Sequence, residues 1–392
     1  MNTLGPVMCV VGARPNFMKM APILRAIAAH EPPLPVLLVH TGQHYDTDMS
    51  DRLFQDLGLP RPDVNLEVGS GTHAHQTAEV MNRFEPIVDA HQPSCVAVVG
   101  DVNSTLACAL VAVKKSVPVV HIEAGLRSHD RSMPEEINRI LTDQMADRLY
   151  TTERSAEDNL KREGIAPERI FFAGNVMIDS LNFGLKNARS VKDTLRGSAS
   201  GNGNDLLVLN HPNGFGLVTL HRPSNVDHPQ TLRALLGVLA TVAARLPLVF
   251  ALHPRTRNQI ERFDLMSLVD PSCMVLLPPQ GYLEMLGLMA GATLVLTDSG
   301  GLQEETTALG VPCLTLRENT ERPITVVQGT NSLVGRDRAT ILGAVDDILA
   351  GRGKRGRIPE LWDGHAAQRI TADLYQWLTR GRTSMVARPV HS

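Results

Sequence analysis

Leu294-Val-Leu-Thr-Asp298-Ser299-Gly300-Gly301-Leu-Gln-Glu304-Glu305, continued by Leu309-Gly-Val-Pro312-Cys-Leu-Thr-Leu and by Thr320-Glu321-Arg322-Pro323, is the stretch around which the chain can be read. An apolar run with β-branched residues ends in a two-glycine turn, a helical pattern follows, and a second apolar run ends in a charged loop. The order is strand, turn, helix, strand, loop. Gly300 and Gly301 carry no Cβ, so a ligand can approach the backbone while amides at the helix start face its negative charge. Glu304 and Glu305 fall in the first helical turn, where a carboxylate is favoured and can accept hydroxyl hydrogen bonds. Two oxyanions and a ribose fit that arrangement, as in a nucleoside diphosphate. A turn that merely joins two core elements fits it equally well.

Working outward, strand-like and helix-like segments alternate through most of the chain. Strands are expected at 7–12, 36–41, 96–101, 119–123, 148–152 and 170–174, with amphipathic stretches such as 17–28 between them. A second series covers 216–221, 248–253, 275–278, 293–297 and 312–316. The alternation predicts an α/β protein whose parallel sheets are covered by helices on both faces. Its 392 residues exceed what one core usually supports, so two domains are expected. We place an N-terminal Rossmann-like domain at 1–190, a linker at 191–214, a second Rossmann-like domain at 215–365 and a closing helix and tail at 366–392. The linker rests on the Gly-Ser-Ala-Ser-Gly-Asn-Gly-Asn core of the segment 196–214, read as an exposed loop. Ile370, Leu374 and Trp377 share one face of the last helix, which is expected to pack back across the domains.

Composition excludes several classes. A hydrophobic fraction of 43% and a charged fraction of 20% are ordinary for a globular protein. A net charge of -3 argues against a broad nucleic-acid footprint. The five cysteines, Cys9, Cys95, Cys108, Cys273 and Cys313, lie far apart, and no Cys-x-x-Cys or His/Cys ligand spacing occurs. Neither a disulfide framework nor a metal site is expected. No run approaches membrane-spanning length and the first residues lack a basic leader pattern, so no membrane association and a cytoplasmic location are expected.

In open parallel sheets ligands bind beyond the carboxyl ends of strands. The first strand ends in Gly12-Ala-Arg14-Pro-Asn-Phe-Met-Lys19, whose arginine and lysine either face an anion at the helix start or are simply solvated. Asp101, in Gly100-Asp-Val-Asn-Ser-Thr, either caps the next helix or serves as an acid or base. Glu123 lies between Ile122 and Ala124, so it either pairs with a cation such as Arg127 or has a raised proton affinity. Pro134-Glu135-Glu136 makes a good helix start. His221-Arg222 ends a strand of the second half, where a histidine can act as acid, base or phosphate donor. His253-Pro-Arg255 ends the next and is read as supporting the loop. Acids at strand ends of one half, facing a diphosphate turn in the other across an interdomain cleft, suit general acid/base chemistry on a nucleotide-linked substrate.

Eight of these segments, in order, resemble the motifs of the non-hydrolysing UDP-N-acetylglucosamine 2-epimerases. They are Gly12-Ala-Arg-Pro-Asn, Thr41-Gly-Gln-His-Tyr, Gly100-Asp-Val-Asn-Ser-Thr, His121-Ile-Glu-Ala-Gly-Leu-Arg, Pro134-Glu-Glu-Ile-Asn-Arg, His221-Arg222, Thr297-Asp-Ser-Gly-Gly-Leu-Gln-Glu-Glu and Thr320-Glu-Arg-Pro. The resemblance implies the two-domain B-type glycosyltransferase fold, a homodimer, and interconversion of UDP-N-acetylglucosamine and UDP-N-acetylmannosamine. Carried over residue by residue, it implies that Arg14, Lys19, Gln280, Ser299, Gly300, Gly301, Glu305 and Arg322 hold the UDP part of the substrate. Asp101, Glu123, Glu135 and His221 form the implied catalytic set.

The chemistry accounts for such a set. The hydrogen on C2 of the sugar is not adjacent to a carbonyl, and oxidising a neighbouring carbon needs a nicotinamide cofactor. No Gly-x-Gly-x-x-Gly follows a strand, and no cofactor is expected. Elimination of UDP to a 2-acetamidoglucal, then re-addition with the proton delivered to the other face, needs acid/base groups on both faces and cationic support for the leaving diphosphate. The chain departs from the family at Tyr45-Asp46, where members activated by a second UDP-sugar have arginine-glutamine, and at Gly69-Ser-Gly-Thr-His73, which lacks an arginine. Met285 stands where an aromatic often packs on uracil. The Tyr45-Asp46 variant also occurs in relatives acting on a diacetamido uronic acid, which leaves the C3 and C6 substituents open. A hydrolysing epimerase, a glycosyltransferase of this fold and a non-catalytic sensor are the competing readings.

Overall fold

Apolar β-branched runs punctuated by glycine turns give strands, and the amphipathic stretches between them give the covering helices. The computed structural model describes residues 4–42, 54–197 and 205–386. The chain divides into one unit of residues 1–182 with 360–392 and a second of residues 183–359.

The first unit is built on β1 (Val7–Val11), β2 (Val36–His40), β3 (Val64–Asn65), β4 (Cys95–Val99), β5 (Val119–Ala124), β6 (Arg148–Thr151) and β7 (Ile170–Phe172). They form one parallel sheet in the order β3-β2-β1-β4-β5-β6-β7. Met8 and Val10 of β1 and Val96 and Val98 of β4 point into a core closed by Val80, Phe84 and Val88 of the helix His73–His91. Those helical positions recur at four-residue spacing, so one stripe is buried.

The second unit carries β8 (Gly216–Thr219), β9 (Leu248–Ala251), β10 (Met274–Leu277), β11 (Leu294–Thr297), β12 (Cys313–Thr315) and β13 (Asn331–Leu333). Their order, β10-β9-β8-β11-β12-β13, is the doubly wound arrangement. Leu232, Leu235, Leu236 and Leu239 of the helix Pro229–Ala243 pack with Val218 and Phe250 beneath it. Each such leucine contributes about 1.5–3 kcal/mol of burial free energy.

Two strands escaped the sequence pattern. β3 has only two residues, too few for a period, and β13 opens on the buried polar Asn331, which bonds Thr315 rather than showing an apolar run. The segment 191–214, expected as an exposed linker, is corrected by the helices Val191–Gly197 and Asp205–Asn210. Leu195 is buried, and the chain leading to it lies against the helix Tyr282–Gly291. Gly287 and Gly291 make that approach possible: a Cβ on Gly287 would stand 1.7 Å from Arg189 O, and one on Gly291 would stand 2.7 Å from Val191 Cγ2. The glycine-serine core of the expected loop, 198–204, lies outside the described residues.

The last helix, Ala366–Val386, packs in the first unit against the helix Arg14–Ala28. Its start sits on a carboxylate, since Asp179 accepts from the amides of Ala366 (3.2 Å) and Ala367 (2.9 Å). Asp373 then accepts from Arg148 Nε and Tyr150 OH, each at 2.8 Å. Ile370 and Leu374 are buried and Trp377 is half-buried. Among the described residues no helix is long and apolar enough to cross a membrane, and no cluster of His, Cys, Asp or Glu could hold a metal.

Candidate active site

Strand order reverses between β1 and β4 in the first unit and between β8 and β11 in the second. Loops leaving such neighbouring strands diverge and open a crevice. The residues expected to act stand mostly in these loops.

In the first unit, β4 ends in Gly100, whose φ of +69° is a conformation that a side chain would strain. A Cβ there would lie 3.2 Å from Lys19 Nζ, 3.5 Å from Asn16 Nδ2 and 3.9 Å from Glu123 Oε1. Gly100 is therefore the hub where the β1, β4 and β5 loops meet. Asn16 braces this corner, accepting from the amide of Ala13 (2.9 Å) and donating to Val99 O (2.8 Å).

Glu123 sits at a break in the β5–β6 register with a φ of +69°. A non-glycine residue there is uncommon and costs about 1–3 kcal/mol, a strain that clusters at functional sites. Its carboxylate lies 2.6 Å from Lys19 Nζ, with both side chains buried. Arg127, the cation expected beside Glu123, instead meets Asp143 at 2.7 Å and Glu163 at 2.6 Å. The bulge explains the difference, because it breaks the strand's regular alternation before the chain reaches Arg127.

Asp101 is paired with Arg139 at 2.6 Å and keeps a fifth of its side chain exposed. The cap position of the following helix, Asn103–Lys114, is held by Val102, which makes no side-chain bond there. The helix Pro134–Met145 serves this corner along one face, with Asn138 donating to Asp101 O at 2.8 Å. Glu136 is structural, accepting from the amides of Ser128 and His129 at 2.9 Å and pairing with Arg139 at 2.7 Å. Burial pushes its carboxyl up, but the two amides and Arg139 outweigh it and leave it below the usual range. Glu135, one residue earlier, is half-buried and makes no hydrogen bond or ion pair among the described residues. Arg14 opens the first helix; its side chain lies outside the described residues, as does Gln43-His44-Tyr45-Asp46.

In the second unit, β8 delivers His221 and β11 delivers Asp298. The buried Asp298 carboxylate accepts from the amides of His221 (3.1 Å) and Arg222 (3.0 Å) and from Asn225 (3.1 Å), and stands 2.9 Å from His221 Nδ1. Burial alone would raise its pKa, but the imidazole and the amides hold it below the ordinary carboxylate value. His221 is thus oriented by a carboxylate while its side chain remains partly exposed.

Ser299 precedes the helix Gly300–Leu309 without bonding its amides through its hydroxyl. The absence of a Cβ at Gly300 also serves packing, since one would stand 2.5 Å from Glu321 Oε1. Glu321 in turn lies 3.0 Å from Arg317 and 3.6 Å from Arg222. Arg317 Nη1 and Arg222 Nε are buried with no acceptor among the described residues, leaving donor capacity beside the turn. Arg322 meets Glu304 at 3.0 Å. Glu305 accepts from Tyr282 OH at 3.2 Å, and Gln280 donates to Pro278 O at 2.7 Å.

The family model described as UDP-N-acetylglucosamine 2-epimerase matches residues 26–375. The chain belongs to the UDP-N-acetylglucosamine 2-epimerase family. It is 39% identical to the UDP-N-acetylglucosamine 2-epimerase of Methanocaldococcus jannaschii over 92% of this chain and 96% of the relative. It is 42% identical to the UDP-2,3-diacetamido-2,3-dideoxy-D-glucuronate 2-epimerase of Pseudomonas aeruginosa over 86% and 90%. The crystal structure of the Methanocaldococcus jannaschii epimerase in complex with UDP-GlcNAc and UDP superposes with a TM-score of 0.81 at 36% identity, covering 95% of this chain and 99% of that one. The two parallel-sheet α/β units are those of the B-type glycosyltransferase-like fold that such epimerases have.

Within this epimerase-family chain, sequence reasoning passed over Asp298, Arg139, Arg317 and Tyr282. Asp298 had a signal, being the first polar residue beyond β11 and beside the glycine turn. Arg139 and Tyr282 had none, because each reaches its carboxylate from mid-helix or from a distant element.

Proposed function

We propose that the chain interconverts UDP-N-acetylglucosamine and UDP-N-acetylmannosamine. The C2 proton is removed, the C1–O bond to UDP breaks with its electron pair leaving on UDP, and a C1=C2 double bond forms. Re-addition of UDP to C1 with a proton delivered to the other face of C2 gives the epimer. The observation that carries this reading is the pairing of two carboxylates with separate cations around Gly100, Glu123 with Lys19 and Asp101 with Arg139. A sensor or a simple transferase has no use for two such acids at one corner.

In this reading Asp101, Glu123 and Glu135 handle the protons, and Lys19 supports Glu123 in addition to the substrate. His221, oriented by Asp298, steadies the departing phosphate with Arg14. Ser299, Gly300 and Gly301 receive the diphosphate, Arg222 and Arg317 add positive charge beside them, and Glu305 takes the ribose hydroxyls, with Gln280 and Arg322 completing the UDP grip. A homodimer and a cytoplasmic location belong to the same reading and rest on the family resemblance. The relative at 42% identity supplies the alternative substrate, a UDP-diacetamido uronic acid.

The test is incubation with UDP-N-acetylglucosamine in deuterated water, followed by NMR. Deuterium at C2 together with UDP-N-acetylmannosamine supports the proposal. Stoichiometric free UDP indicates a hydrolysing enzyme, and turnover only of the diacetamido uronic acid selects the second substrate.

A further inference from the structure

His121 is fully buried in β5, two positions before Glu123, and both of its ring nitrogens face acceptors. Nε2 lies 2.9 Å from Gly100 O, and Nδ1 lies 2.6 Å from Asp143 Oδ1. A carbonyl oxygen can only accept. The Asp143 carboxylate accepts as well: burial pushes it up, yet His121 and Arg127 together hold it below the usual range, so it is ionised. Each imidazole nitrogen thus lies within hydrogen-bond distance of an acceptor oxygen.

The placement of the acceptors gives this network a purpose. Gly100 O belongs to the peptide that leads into Asp101, in a turn of positive φ whose amide is itself bonded to Ile122 O at 3.1 Å. The second oxygen of Asp143 accepts from Gly125 N at 3.1 Å, two residues beyond Glu123 and just after the register break. It also meets Arg127 at 2.7 Å. Asp143 comes from the same helix that sends Arg139 and Asn138 to Asp101. A single imidazole–carboxylate pair thus ties the backbone on the Asp101 side of one loop to the backbone on the Glu123 side of the other. Neither His121 nor Asp143 reaches the carboxylates themselves.

We infer that His121 and Asp143 are positioning residues that fix the spacing and aim of Asp101 and Glu123, through the peptides at Gly100 and Gly125. The inference rests on the proposed epimerase reading. A buried, fully satisfied polar network specifies one arrangement where apolar packing would tolerate several. Two acids that must act on one carbon need that precision, because misplacement by about 1 Å costs roughly 100-fold in rate.

The test uses the full chain with Asp143→Asn and, as a second variant, His121→Asn. Folded fraction is measured by circular dichroism and UDP affinity by calorimetry. Epimer formed and 2-acetamidoglucal released with UDP are counted by NMR. The expected result is a fall in kcat of roughly 100-fold per folded molecule, with UDP affinity within about threefold of the parent. The ratio of glucal released to epimer formed rises, because a misaimed acid delays protonation of the intermediate. A merely structural role lowers every rate with the folded fraction and leaves that ratio unchanged, which overturns the inference. So does full kcat in both variants. Parent protein that epimerises no UDP-acetamido sugar instead overturns the functional reading, and the inference falls with it; active parent with indifferent variants overturns the positioning role alone.

Discussion

Lys19 Nζ lies 2.6 Å from Glu123 Oε1, joining the first helix to the bulge of β5 in a buried ion pair. Removing one partner of such a pair leaves the other charge buried without compensation, at a cost of about 3–5 kcal/mol. Lys19→Met is therefore expected to lower stability by about that amount in urea titration, and to abolish C2 deuterium exchange in the fraction that remains folded. Lys19→Arg, which keeps the charge, is expected to recover most of the stability.

Asp101 pairs with Arg139 but keeps a fifth of its side chain exposed, as the proposed proton-handling role requires. In the proposed mechanism Asp101→Asn removes an acid/base group while preserving shape. Deuterium exchange at C2 is expected to fall by at least about 100-fold, the scale of a general acid or base, while calorimetry shows UDP bound as before. Unchanged exchange in both Asp101→Asn and Glu123→Gln would refute the assignment.

The acid side of the stability profile should report Asp298. Its folded pKa lies below the ordinary value of about 3.9. The stabilisation it provides is thus complete above that value and lost as pH falls through the depressed folded pKa. Measured from pH 6 to pH 3, the unfolding free energy of Asp298→Asn is expected to start lower than the parent's and to decline less below about pH 4. Parallel curves would contradict this account.

Gly300→Ala places a methyl group 2.5 Å from where Glu321 Oε1 now lies. The carboxylate must move away from Arg317 and Arg222, rearranging the charges beside the turn. UDP affinity is expected to weaken about tenfold or more, read by calorimetry, with a stability loss of about 1–3 kcal/mol typical of overpacking.

Asp373→Ala removes the acceptor that holds Arg148 and Tyr150 to the last helix. A half-buried arginine and a buried phenol then lose their partner, and a loss of about 2–4 kcal/mol is expected in denaturant titration. Hydrogen exchange should show faster opening of the helix 366–386 than of β1 or β4.

How far the sequence could be read follows from the range of the interactions involved. Alternation of apolar runs and helical stripes is a local signal, so the parallel sheets, the two halves and the loops at Gly12, Gly100, His221 and Gly300 were legible residue by residue. The helix at Val191–Gly197 was not, because its fit depends on Gly287 and Gly291 about ninety positions on. Glu123 could be recognised as a buried acid, yet its cation could not be chosen. Arg127 was near in sequence, and Lys19 was near only in space.

By itself, then, the sequence determined the fold class, the family motifs and which polar residues stand at strand ends, since periodicity and turn chemistry are written within a few residues of each position. The partners emerge only from the folded chain: Lys19 for Glu123, Arg139 for Asp101, Asp298 for His221, and His121 with Asp143 beneath the two loops. Ion pairs and hydrogen bonds act over about 3 Å of space and are indifferent to separation along the chain, so the winding of the sheet chooses among the candidates.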